Sequence, residues 1–210
     1  MQEDILHKAK KYVNTLLSPL EHHYYHQYGH AIEVMQRAMY LGEKEGLSKE
    51  EIEMLGIAGI FHDTGFIIQY DDNEPIGAKI AKNFLRASLY PEDKIKIVEE
   101  LILATDPEYK NPKNIMEEVI KDSDLDNLGR EDFFQKTNNL KKELENIKNI
   151  KIRDPDWHHS ALDFLYEHNF YTNTQEQERF IKKEENKKML ESMINELDEM
   201  EKNEKVKIEL

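Results

Sequence analysis

The chain has 210 residues, enough to bury one sizeable core with appendages, and its 39% hydrophobic and 34% charged residues fit a helical protein with a long polar segment rather than a disordered chain. With 29 Lys plus Arg against 43 Asp plus Glu the formal net charge is −14, a field that opposes polynucleotide binding but tolerates a small phosphorylated substrate beside local cations or a metal. The absence of cysteine excludes disulfide scaffolds, thiolate metal sites and cysteine nucleophiles, so any metal must sit on His, Asp or Glu.

The opening MQEDILHKAKKYV mixes both charge signs and lacks the apolar run of a signal peptide or membrane span, so a cytoplasmic protein without membrane contact is expected. Ile5, Ala9, Tyr12, Val13 and Leu16 recur at three-and-four spacing and predict a first helix, broken at Ser18-Pro19. A second is predicted from about His22 to Gly46 through Ala31, Val34, Met35, Ala38 and Leu41. Ser48 and Glu51 form a capping box that opens a third, through Ile52, Leu55, Ala58 and Phe61, running into His62-Asp63. Residues 64–75, with Gly65 and Asp71-Asp72-Asn73, read as a loop over or beside that dipeptide, after which Ile76, Ile80, Phe84 and Leu85 resume a helical stripe.

Pro91 suits the first turn of a helix carrying Ile95, Val98, Leu101 and Ile102, which ends at Asp106-Pro107, and another helix runs to Asp124. Phe133, Leu140, Leu144 and Ile147 support the next, and Ala161, Leu162, Leu165 and Tyr166 one more beyond Asp154-Pro155. From Gln175 to Leu210, Phe180, Ile181, Met189, Met193, Ile194 and Leu197 recur among Glu, Lys and Asn and predict a long amphipathic helix. Its apolar stripe docks back on the domain or joins two copies into a homodimer. The expected protein is all-α, with a domain over residues 1–174 and a charged helix over 175–210.

Three clusters carry candidate chemistry, and each has a plain structural reading. In YHQYGHAIEV, His26 and His30 stand four apart, which predicts that they share a helical face, although such pairs are commonly surface groups. In AGIFHD, burying the carboxylate of Asp63 beside His62 is costly without partners, and a metal would satisfy both; a helix end capped by Asp63 is the plain alternative. In KDSDLDNLGR, Asp122, Asp124 and Asp126 crowd like charges that need solvent or a cation. The calcium-loop pattern fails there, because glycine and glutamate are not at the required positions, which leaves Asp124 as one distant ligand. Together, two His and two Asp from separate helices offer a nitrogen-and-oxygen set suited to Zn, Mn, Fe or Mg.

The order His, then His-Asp, then Asp resembles the HD superfamily of metal-dependent phosphohydrolases, over about residues 20–135, with His30, His62, Asp63 and Asp124 in the ligand positions. YHQYGHAIEV is also similar to the YHNxxHAxxV motif of 3′,5′-cyclic-nucleotide phosphodiesterases within that superfamily, with Gln27 in place of Asn. The resemblance implies a helical bundle, a divalent metal, a small nucleotide-like phosphoester substrate, His26 as general acid, and Asp63 as both ligand and holder of the nucleophilic water. Residues 64–157 contain no His, so one ion is expected and a second lacks the usual later ligands. The same shortage disfavours the di-iron oxygenase branch, whereas a non-hydrolytic nucleotide-binding module stays open as the alternative. Glu74, Glu99 and Asp122 are candidates to support the ligands; Lys79, Lys82, Arg86, Lys121 and Arg130 read chiefly as exposed charges, and Phe66 and Tyr70 as packing rather than base-stacking rings.

Overall fold

The computed structural model describes residues 4–208, with side chains for 4–199, and is all-α, with no strand among the described residues. In chain order the helices are α1 (Ile5–Leu17), α2 (Tyr28–Lys44), α3 (Lys49–Phe61), α4 (Glu74–Ala87), α5 (Glu92–Leu103), α6 (Ile115–Asp124), α7 (Phe133–Ile147), α8 (Asp154–Glu167) and α9 (Asn173–Ile208). They form two compact units: Met1–Asp126 with Phe170–Gln175, and Asn127–Asn169 with Glu176–Leu210. None of the described helices is long and apolar enough to cross a membrane.

In the first unit α3 is the axis. The predicted capping box forms, with Ser48 Oγ accepting from Glu51 N at 3.3 Å and Glu51 Oε2 accepting from Ser48 N at 2.8 Å. From Met54 to Phe61 every residue is buried, so the helix is apolar on all sides and must be enclosed. It packs against α1, α2, α4, α5 and α6, whose stripes of Ala9, Val13 and Leu17, of Val34, Ala38 and Leu41, and of Val98, Ile102, Val119 and Ile120 close around it. Each fully buried Leu, Ile or Phe contributes on the order of 1.5–3 kcal/mol of burial free energy. A consequence of this enclosure is that the residues following Phe61 are delivered into the interior rather than to the surface.

Two glycines set how tightly that delivery is made. A Cβ on Gly59 would stand 2.9 Å from Met35 Cα and 3.0 Å from Met35 N, so α2 and α3 cross nearly backbone to backbone at this point. A Cβ on Gly65 would lie 1.9 Å from the Asn73 carbonyl oxygen, so the start of α4 can approach only a glycine.

Two boundaries differ from the sequence expectation. Helix α2 begins at Tyr28 rather than near His22: His22 takes a φ of 70° and Gln27 is an extended N-cap, so the aromatic run between them stays outside the helix. Its rings pack on one another and on Phe66 and Tyr70, tertiary contacts that override local helical preference. The expected loop at 64–75 is helical in its first part, where His62–Ile67 forms a 3-10 segment before the chain turns into α4.

The second unit contains α7, α8 and α9 from Glu176 onward. Phe133, Leu165, Leu190 and Ile194 are buried. Asn186 Nδ2 donates to the carbonyls of Leu128 at 3.0 Å and Arg130 at 3.1 Å, while the Lys183 ammonium donates to the His168 carbonyl. These bonds tie α9 to the turn preceding α7 and to the end of α8.

Candidate metal centre

The axial helix α3 places His62 and Asp63 at its buried C-terminal end, α2 supplies His30 from its first turn, and α6 supplies Asp124 as its last residue. The four side chains converge. His30 Nε2 lies 3.0 Å from Asp124 Oδ1 and 3.5 Å from Asp63 Oδ2, and His62 Nε2 lies 3.2 Å and 3.1 Å from the same two oxygens. Only 1% of the His62 side chain is exposed, against 23% for Asp124, so solvent reaches the cluster from the Asp124 side.

Hydrogen bonding fixes which atoms are on offer. His62 Nδ1 is 2.8 Å from the Gly59 carbonyl oxygen, which can only accept, so Nδ1 donates to it and Nε2 is the ring nitrogen turned to the cluster. His62 Nε2 and Asp63 Oδ2, 3.1 Å apart, are both buried without a hydrogen-bond partner. Buried polar atoms left this way are costly, and a cation would satisfy both. Donor atoms about 2.0–2.2 Å from a shared cation stand roughly 3.0–3.5 Å from one another, which is the spacing found here. His30, His62 and Asp124 can each offer a ligand atom within 4.8 Å of the others, and Asp63 Oδ2 joins them at the distances above. The residues therefore fit a divalent metal.

Electrostatics in the protein alone tell the same story. Burial disfavours the His62 imidazolium, yet the carboxylates of Asp63 and Asp124 outweigh burial and hold its pKa well above the ordinary imidazole value. Burial works against the Asp63 and Asp124 carboxylates too, but His62 and its neighbouring histidines keep both below the usual range. Cationic charge is what this cluster demands.

His26 stands beside the cluster, half-buried, with its ring centroid 6.0 Å from that of His30 and 4.3 Å from that of Phe66. Because α2 starts after it, the shared helical face expected from the four-residue spacing is not what brings it here. Phe66 and Tyr70, 5.0 Å apart, contact His26 and line this side. Glu74 opens α4, and burial raises its pKa, reinforced by the charges of Asp106, Asp63 and Asp124. Of the other sequence candidates, Lys79 is exposed, as expected, while Glu99 pairs with Lys82, Arg86 with Glu92 and Arg130 with Asp132, and Lys121 donates to the carbonyls of Ala104 and Asp106. Asp122 accepts from the backbone of Tyr171 and Thr172.

The sequence matches the HD domain family over residues 28–127, a span that contains all four convergent side chains. That segment matches an HD domain. HD domains belong to a superfamily of metal-dependent phosphohydrolases, and the His30, His62 and Asp124 group is able to hold a metal. Among solved structures the chain is similar to Bacillus subtilis YpgQ in complex with ADP, at 17% identity and a TM-score of 0.59, with 94% of each chain covered. That likeness is one of fold. No curated protein matches the sequence.

Residues that spacing did not single out also surround the centre. Tyr25 packs its ring against both His26 and His30, and His23 lies near Phe66 and Tyr70. Arg37 and Gln175 meet across 138 residues of sequence, close to Asp126. No local pattern announces a pair so far apart.

Proposed function

We propose that this chain is a metal-dependent phosphohydrolase that cleaves a phosphomonoester or phosphodiester bond of a small nucleotide-like substrate. The observation that carries the reading is the convergence of His30, His62, Asp63 and Asp124, two of whose buried atoms have no hydrogen-bond partner, within an HD domain. A nucleotide substrate is supported by the ADP bound to the similarly folded YpgQ, and the net charge of −14 disfavours a polynucleotide.

One divalent ion, Mn, Mg, Zn or Fe, would be held by His30, His62, Asp63 and Asp124. When bound it supplies a Lewis acid that lowers the pKa of water and neutralises phosphate charge. Asp63 holds and orients the attacking water through its carboxylate. His26, at the edge of the cluster and braced by Phe66, donates a proton to the leaving oxygen as the bond from phosphorus to that oxygen breaks. His62, locked by the Gly59 carbonyl, keeps its Nε2 aimed at the ion and takes no part in proton transfer.

The experiment is a panel of cyclic mononucleotides, cyclic dinucleotides, nucleoside monophosphates and nucleoside triphosphates, offered to the purified full chain with Mn or Mg. Product formed by the wild type and lost in Asp63→Ala supports the reading. Tight nucleotide binding with no product under any metal would replace it with a non-hydrolytic regulatory module.

A further inference from the structure

Asp124 is flanked two residues to either side by Asp122 and Asp126, and both flanking carboxylates are buried. Neither faces the metal centre. Asp122 Oδ1 accepts from Tyr171 N at 2.9 Å, and its Oδ2 accepts from Thr172 N at 2.7 Å and Thr172 Oγ1 at 2.8 Å. Gln175 Nε2 donates to the Asp122 carbonyl at 3.2 Å and to Asp126 Oδ1 at 3.1 Å. Gln175 Oε1 in turn accepts from Arg37 Nε at 2.8 Å, and the same Nε lies 2.9 Å from Asp126 Oδ1.

Arg37 follows His30 by seven residues on α2, so the two side chains share a face of that helix two turns apart. One end of that face meets Asp124, and the other meets the residue two positions beyond it. The returning segment Phe170–Gln175 therefore cross-braces the helix that supplies His30 to the helix that supplies Asp124, on both sides of the ligand. Thr172 and Gln175 are fully or nearly fully buried, as such a polar network requires if it is to be rigid.

We infer that Arg37, Gln175, Asp126, Asp122 and Thr172 form a positioning frame that sets the distance between His30 and Asp124 and so tunes metal affinity. The inference rests on the metal centre assigned above. It places part of the metal-binding machinery at residues 170–175, outside the 28–127 span of the HD match. Without the frame, the last turn of α6 keeps its helical bonds but loses its register against α2, and the cluster must spend binding energy to reassemble.

The test is metal affinity of the full chain, measured by competition of Mn or Zn with a chromophoric chelator, alongside thermal stability. Gln175→Met keeps side-chain length while removing every side-chain hydrogen bond of Gln175, and it is expected to weaken metal binding tenfold or more, roughly the range seen when supporting groups of metal ligands are lost. Val13→Ala, in the α1 core, is the control: it lowers the melting temperature with unchanged metal affinity, because affinity is read on folded protein. Thr172→Val removes the hydroxyl that donates to Asp122 and accepts from Gln175 N, keeps the backbone bond from Thr172 N to Asp122, and gives a smaller loss in the same direction, which carries the test if Gln175→Met does not fold. Unchanged affinity in the folded Gln175 variant, or an equal loss in Val13→Ala, overturns the frame. Asp124→Ala separates the two claims: if it binds metal as the wild type does, the centre itself is misassigned, whereas loss in Asp124→Ala alone condemns only the frame.

Discussion

At the residue scale, the division of labour between His26 and the four convergent side chains makes two predictions. His26 is not among the convergent donors, so His26→Ala should retain metal and fold while losing hydrolysis by about 10²–10⁴-fold, the usual contribution of a positioned acid. Metal analysis beside turnover checks it; loss of metal would make His26 a ligand. Asp63 offers a buried oxygen 3.1 Å from His62 Nε2 with no hydrogen-bond partner, so Asp63→Ala should lose both metal and activity. These residues are legible in sequence because imidazole and carboxylate in a fixed order carry chemical meaning by themselves. Arg37 and Gln175 are not, since an arginine and a glutamine gain significance only from a contact between residues 138 apart. Within the aspartate triplet the order of motifs already singles out Asp124, which faces the histidines, but the partner of Asp122 at Thr172 is visible only in the fold.

At the element scale, α3 determines the site, since enclosure on all sides forces His62 and Asp63 into the interior. Ser48→Ala removes the side-chain half of its capping box and should cost about 1 kcal/mol, measured by denaturant unfolding, with metal affinity unchanged. Gly59→Ala should do more, because its Cβ would stand 2.9–3.0 Å from the backbone of Met35 and α2 must move away. That movement displaces His30 from His62, so Gly59→Ala is expected to lose metal affinity as well as stability; a variant that melts lower yet binds metal as the wild type does would show that the crossing does not set the centre. The capping box, the Pro-marked breaks and the apolar stripes made the helices readable from spacing. The start of α2 was not, because the aromatic segment before it is held by ring contacts with Phe66 and Tyr70 that no window of local sequence contains.

At the scale of the whole molecule, the centre gathers ligands from three helices that are contiguous only in the folded chain, so metal binding and folding are linked. A metal that binds the folded state alone should stabilise it by about 2.7 kcal/mol at a hundredfold excess over its Kd, visible as a rise in melting temperature that a chelator reverses. The all-α class and the HD core were readable from order and periodicity. The return of Phe170–Gln175 to the first unit was not, because the amphipathic pattern of α9 is read from its exposed and apolar faces, whereas Thr172 and Gln175 dock through polar groups. The most direct test of the central claim is metal stoichiometry and affinity of the purified chain beside Asp124→Ala. One divalent ion per chain in the wild type, lost in the variant with the fold retained, is the predicted result. Equal metal binding by both proteins would contradict it.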